Sequence, residues 1–526
     1  TLYAGTDGGV FRSDDAGRTW GSVSTGLPPG PVQSLVLDPT GPGTLYAGLS
    51  NGGVWQATAP AASVTALLPA AARASGSHGA FYTTDLSVSN TGPSPAYFTL
   101  KFLGHDRDGS DGPESSFSLS PGATLSLPDV LGSAFGLDSG FGALRVSSNS
   151  ASLDVVSVTS TPGFGGTFGQ TVTAVPVSQL VSSGSARSIP YVREGDGFRS
   201  NLVLSSNSNV ETTVDAALVA PDGSLLAARS YSIPPSGMTQ VGRVAWEMGV
   251  ARPVTGARLV LSSPTDAAAF TAFLSVIDET TNDSTTIPLA SAPPSGPGPF
   301  VWLLPAAARS HGASGAFFTT NLALSNAGLL PVSFSLRFLG HDRDGSAGPE
   351  RSFLLEAGRS VTYFDLLGSV FGLDSAFGAL RISSDSPDLV VASVTSTPGF
   401  GGTLSQTVPA VASGDLIPAG SPRSILHVRE DEAFRSNLVL ASNANVSTAV
   451  DVTLVSGAGE TLASKSYVVP PNGMTQIHHV ARDMGVPGAL SGARLVLSSP
   501  TPGAAFITFA SVIDNTSNDP TTIEAR

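Results

Sequence analysis

The sequence contains no cysteine, so disulfides, thiol catalysis and cysteine-ligated zinc are all excluded. It contains only two lysines, Lys101 and Lys465, and charged residues make up 13% of the chain, about half the usual share. The balance of charge is −14. An acidic chain without a Lys/Arg cluster repels phosphate backbones, which argues against a nucleic-acid partner. No run of 18 apolar residues occurs, so no transmembrane helix is expected. No signal-peptide pattern is visible. The chain opens on Thr1 inside a strand-like pattern, as expected of a processed or partial chain.

What is present points to strands. Hydrophobic residues make up 41% of the 526, enough for packed cores, and 59 Gly with 39 Pro imply many turns. Val, Thr, Phe and Ile recur in short alternating runs, as in half-buried strands. A chain of this length holds about three to five domains.

A unit of about 235 residues occurs twice. "LLPAAARASGSHGAFYTTDLSVSN" from Leu67 returns as "LLPAAARSHGASGAFFTTNLALSN" from Leu303, and "KFLGHDRDGS" at Lys101 returns as "RFLGHDRDGS" at Arg337. Each unit is weakly doubled in turn: "FYTTDLSVSN" at Phe81 resembles "FRSNLVLSSN" at Phe198. The expected architecture is therefore all-β, with four antiparallel β-sandwiches at 67–183, 184–290, 303–419 and 420–526. A Pro/Gly linker at 291–302 separates the copies and is expected to be extended and semi-rigid. One short helix per sandwich is expected, as in "LPDVLGSAFG" from Leu127 and "HVARDMGV" from His479, each ending at a glycine.

The "F-R-S-N-L" opening, the "P-P-x-G-M-T-Q" turn and the "S-V-I-D-x-x-(S/T)-N-D" closing segment make these modules resemble the tandem Ig-like or fibronectin-like domains of secreted bacterial proteins. Residues 1–60 differ. "TLYAGTDGGVFRS" at Thr1 returns as "TLYAGLSNGGVWQA" at Thr44, and between them Ser13, Asp15, Gly17, Thr19 and Trp20 match the pattern S-x-D-x-G-x-T-W. That pattern resembles the Asp box of sialidase-like and sortilin-like β-propellers, which implies a structural blade turn. In such a blade Asp15 accepts backbone bonds across the hairpin and Trp20 packs between sheets. A closed propeller needs at least four blades, and this stretch supplies little more than one.

Candidate sites are few. Asp106 and Asp108, with Asp342 and Asp344 in the second copy, sit in H-D-R-D-G-S loops that resemble the start of a calcium loop. The EF-hand continuation is missing, and Asp-Gly between strands is equally a hairpin turn. The closing segments offer Asp278, Asn282 and Asp283, with Asp514, Asn518 and Asp519. These read either as self-bonded polar turns or as a cation site. The seven histidines show no zinc spacing. Phe164 and Phe400 lie in Gly-rich "TPGFGGT" loops, poorly placed to reach a core, and are expected to be exposed contact residues. No cofactor is called for beyond the calcium alternative. No nucleophile elbow or placeable carboxylate pair marks an enzyme. The expected function is an extracellular or cell-surface structural or adhesive protein of bacterial origin. Its partners would be further copies of itself, other surface proteins or glycans. A filament subunit docking through the unpaired blade is one version. The alternative is the carbohydrate- or surface-binding region of a larger enzyme whose catalytic propeller lies upstream.

Overall fold

The computed structural model describes residues 2–13, 20–22, 24, 27–28, 30–37, 44–58 and 64–526. Every sheet is antiparallel, and the described helices are one or two turns long. No described helix is long and apolar enough to cross a membrane.

The first repeat unit has eight principal strands: β1 (Val64–Ser75), β2 (Phe81–Asn90), β3 (Ala96–Gly104), β4 (Glu114–Leu119), β5 (Thr124–Leu127), β6 (Gly140–Ser148), β7 (Leu153–Gly163) and β8 (Gly166–Thr173). They pair as β4-β3-β6-β1 and β5-β2-β7-β8. The two layers join only where Arg73–Ser75 of β1 meets Phe81–Thr83 of β2. Alternation drives the layering: Ala96, Phe98, Leu100 and Phe102 of β3 are all buried, the last three in one core with Leu67, Leu86, Val88 and Leu144.

The second unit repeats the order. Its strands are β9 (Ala186–Glu194), β10 (Phe198–Ser206), β11 (Thr212–Val219), β12 (Leu225–Ile233), β13 (Met238–Val241), β14 (Val254–Ser262), β15 (Ala269–Asp278) and β16 (Ser284–Pro288). They pair as β12-β11-β14-β9 and β13-β10-β15-β16. The third and fourth units reproduce the first and second 236 positions later, as Asp278 does in Asp514. In every unit the second and fifth strands are neighbours, as are the third and sixth. The first strand lies beside the sixth, which differs from the ABED/CFG arrangement of an immunoglobulin domain.

The boundaries shift slightly from the expected ones. Val181–Ser182 and Ile417–Pro418 pair with strands of the second and fourth units, so those units begin a few residues early. The strand opening the third unit starts at Phe300, inside the expected linker.

Each unit carries the expected short helix: α1 (Val130–Phe135), α2 (Val244–Glu247), α3 (Leu366–Ser369) and α4 (Val480–Asp483). α2 and α4 are capped from outside. The buried Glu194 carboxylate accepts the Ala245 and Trp246 N–H groups at 3.2 and 2.8 Å, and Glu430 accepts Ala481 and Arg482 at 2.7 and 3.3 Å. These are the otherwise unpaired donors of a helix start.

The N-terminal residues form two three-stranded meanders, Leu2–Thr6, Gly9–Ser13, Gly21–Ser22 and Val32–Leu37, Thr44–Leu49, Val54–Thr58. Their shared core is small, built on Val10, Leu45 and Ala47. Asp15, Gly17 and Thr19 of the Asp-box pattern, and the Ser13 side chain, lie outside the described residues. Trp20 is 43% exposed.

Candidate functional site

The units are not strung in a row. The first packs on the second and the third on the fourth, as chain order predicts. In addition the second packs on the third and the fourth returns to the first. Residues 64–290 and 300–526 thus form two halves joined by reciprocal contacts, related by an approximate twofold axis. Around that axis lie four edge strands: β8, β16, β17 (Gly402–Thr407) and β18 (Pro520–Glu524).

The closing segments are the locks. Asp278 turns one oxygen on its own loop, accepting Thr280 and Thr281 N–H at 2.8 and 3.0 Å. Its other oxygen accepts the Thr403 N–H at 3.0 Å and the Thr403 hydroxyl at 2.9 Å, both from the opposite half. Asp514 does the same with Thr516, Ser517 and Thr167. The polar-turn reading is therefore half of the answer, since the second oxygen docks the other half. The fit needs glycine: a Cβ at Gly166 would lie 2.6 Å from Asp514 Oδ1, and one at Gly402 2.5 Å from Asp278 Oδ1.

Deeper on the axis, Asp283 accepts the Ser405 N–H and Asp519 accepts the Gly169 N–H, each at 2.7 Å. Both carboxyls are fully buried, and Oδ1 of each has no donor from the rest of the protein. Burial, with the neighbouring Asp278 charge, pushes Asp283 up to about 8. Burial and the Asp283 charge push Asp519 upward too. Both shifts favour the protonated carboxyl, which carries no charge and can donate a hydrogen bond where a carboxylate cannot. A cavity of about 20 Å³, room for about one water, adjoins Asp283 and is also lined by Tyr191, Asp278, Val394, Thr403 and Ser405.

At the surface end of the axis Phe164 and Phe400 stack on each other, centroids 4.6 Å apart and planes 14° apart. Each occupies a two-residue hairpin with both φ positive, 49° and 83° for Phe164 and Gly165. That is the backbone of a tight type I′ turn. They stay 55% and 40% exposed, so the loops do present aromatic surface, and each ring also contacts its counterpart.

The H-D-R-D-G-S loops lie elsewhere, at the joints within each half. Asp106 N–H donates to Met238 O and Gly109 N–H to Pro235 O, and Asp342 and Gly345 repeat this on Met474 and Pro471. Asp108 and Asp344 accept the Ser110 and Ser346 N–H groups of their own turns at 2.8 Å. Among the described residues no group of three or more His, Asp or Glu is placed to hold a metal ion.

The sequence reading passed over the residues in which the two halves differ. A bulge with φ of 67° at Tyr191 and 58° at His427 turns each side chain toward the opposite half. The Tyr191 hydroxyl oxygen accepts a hydrogen bond from Asn321 Nδ2 at 3.0 Å. Its counterpart His427 faces Asp85, and its Nδ1 lies 3.3 Å from Ser87 Oγ. Burial lowers His427 and raises Asp85. Nearby, burial pushes Asp154 up to about 6 against the pull of Arg526, Arg494 and Arg423, where the other interface has Val390. The signal was in the sequence: these are positions at which two otherwise similar copies exchange neutral for ionisable residues.

No family model matches the chain, and no curated protein does. Among solved structures, the chain is similar at a TM-score of 0.12 and 8% identity to Streptomyces avermitilis alpha-L-rhamnosidase complexed with L-rhamnose, covering 81% of this chain and 55% of that one. It is similar at 0.11 and 9% to the native conformation of E. coli alpha-2-macroglobulin, covering 92% and 29%. The chain thus spans about half and under a third of those two structures. Likenesses at this level carry no argument about fold or function.

Proposed function

We propose that the chain is an extracellular structural or adhesive protein, whose sandwich modules form a rigid body that presents loops at a cell surface. The observation that supports this reading most is the reciprocal lock of Asp278 on Thr403 and Asp514 on Thr167, which binds four modules into one closed assembly. The modules are read as Ig-like in the broad sense of a two-layer antiparallel sandwich, with their own strand order. The N-terminal meanders are read as Asp-box blades. A bacterial surface location follows from the resemblance to secreted tandem modules. The test is immunogold electron microscopy of native cells with protease shaving. Label on the surface, lost on shaving, supports the reading; label confined to the cell interior refutes it. The filament version requires the native protein to form fibres in electron micrographs, and monodisperse monomers count against it.

A second reading is carbohydrate or host-surface binding through the exposed Phe164–Phe400 stack, because sugar faces pack on such aromatic platforms. A glycan array reports on it: binding abolished in Phe164→Ala/Phe400→Ala favours this reading, and an empty array removes it.

A further inference from the structure

The joints within a half and the joints between halves both share apolar cores and differ in side-chain size and polar content. Within the first half, Val203, Met238 and Phe273 of the second unit belong to the same apolar core as Leu67, Phe98 and Leu100 of the first. Val439, Met474 and Phe509 do likewise in the second half. Such a joint separates only at the cost of opening a core. Between halves the shared apolar side chains are smaller: Ala323, Ala392 and Val394 of the third unit join the second unit's core, and Val156 and Val158 of the first unit join the fourth unit's. The rest is polar contact, with Asp, Thr, Ser, Gly, Arg, Asn, Tyr and His all taking part and two buried carboxyls at the centre. Polar joints of that sort resemble the faces of separable protein partners.

The half–half joint is also isologous. Thr171 Oγ1 donates to Thr522 O at 2.6 Å and Thr407 Oγ1 to Thr286 O at 2.7 Å. Ser517 Oγ donates to Thr167 O and Thr281 Oγ1 to Thr403 O. Arg494 and Arg258 reach Gly122 O and Gly358 O in the same way. Apart from Tyr191 and Asn321 against His427 and Asp85, and Asp154 against Val390, each half meets its partner through one set of groups, and nothing in that set requires both halves to come from one chain. Only residues 291–299 connect them, since Leu289 and Ala290 are still bonded to Ala272 O and Ser188 O.

We propose that the half–half face is a self-association surface whose partner is the complementary half of a second copy of this chain, exchanged across the Ser291–Pro299 linker. Exchange between two chains yields two complete four-unit bodies with every interface satisfied. Exchange passed from chain to chain yields an open fibre. The linker sets the balance. A tether this short holds the halves at an effective concentration on the order of millimolar, so self-closure dominates at micromolar protein. The exchange needs only this geometry, whatever surface the protein works on.

The test uses the full chain with Pro293–Gly298 deleted, which leaves three linker residues and removes about 20 Å of reach. Light scattering on size-exclusion eluate is expected to show twice the chain mass for the deletion and the single mass for the parent. Adding Gly166→Val and Gly402→Val, which push Asp514 and Asp278 off their partners, is expected to return the deletion chain to single mass. A deletion chain that stays monomeric overturns the proposal, as do dimers that survive the two valines. Loss of folding in the deletion chain overturns it too, because exchanged halves keep every interface. A second measurement needs no variant: parent chain refolded from guanidinium at several hundred micromolar should leave a dimer peak, and monomer alone overturns the proposal.

Discussion

Neutralising one axial carboxyl, Asp283→Asn, isolates the energetic role of the buried pair. Asp283 sits at about 8 against an ordinary 3.8. Its folded value is raised, so its stabilising contribution is full below about pH 4 and is lost as pH climbs toward 8. Between those limits folding takes up close to one proton, and each pH unit of rise costs the folded state about 1.4 kcal/mol. From pH 5 to pH 7 the loss is about 3 kcal/mol. Asparagine mimics the protonated acid: it keeps an acceptor for the Ser405 N–H and offers an N–H to Asp519. The measurement is the guanidinium midpoint of parent and variant at pH 5, 6, 7 and 8. The parent midpoint is expected to fall across the series, with the variant falling less and standing above the parent at pH 8. Parallel curves for the two proteins would refute the reasoning, because Asp85 and Asp154 contribute equally to both and cancel in the difference.

Asp514→Ala removes an acceptor of four hydrogen bonds and leaves Thr167 N–H unpaired, so a loss of about 3 kcal/mol is expected in denaturant titration. Glu430→Ala uncaps α4 and is expected to cost about 2 kcal/mol, with faster amide exchange at Ala481 and Arg482. Asp154→Val copies the opposite interface at Val390. Asp154 is raised to about 6, so the parent loses stability as pH rises from 4 to 6, by up to about 3 kcal/mol, and the variant should lack that part of the slope. Phe164→Ala forfeits the stack on Phe400 and is expected to lower stability by about 1 kcal/mol in the same titration.

The repeat, the all-β class and the short helices were legible because they are local. Alternation such as Ala96, Phe98, Leu100, Phe102 fixes a strand and its buried face within nine residues, and Gly136, Gly249 and Gly485, all with positive φ, mark helix ends. The exposed placing of Phe164 and Phe400 was legible for the same reason, since a Gly-rich two-residue turn projects its side chain wherever the strands end. Strand order was not. Whether the first strand lies beside the second or the sixth depends on which edge the chain crosses, and both choices satisfy the same alternation.

The sequence by itself determined how many units there are and that they are built of strands, and it offered a polar turn as one of two readings for Asp278 and Asp514. Only the tertiary structure decided that the units close around an axis instead of running in a row. A carboxylate has two oxygens, and the sequence accounts for the one that serves its own loop. The other is committed by a surface 125 residues away for Asp278 and 347 away for Asp514, and only folding brings those partners together. The same holds for Asp283 and Asp519. In the sequence each is one acid of a closing turn; only the twofold buries the two near each other, where burial and carboxylate repulsion push both toward the protonated form.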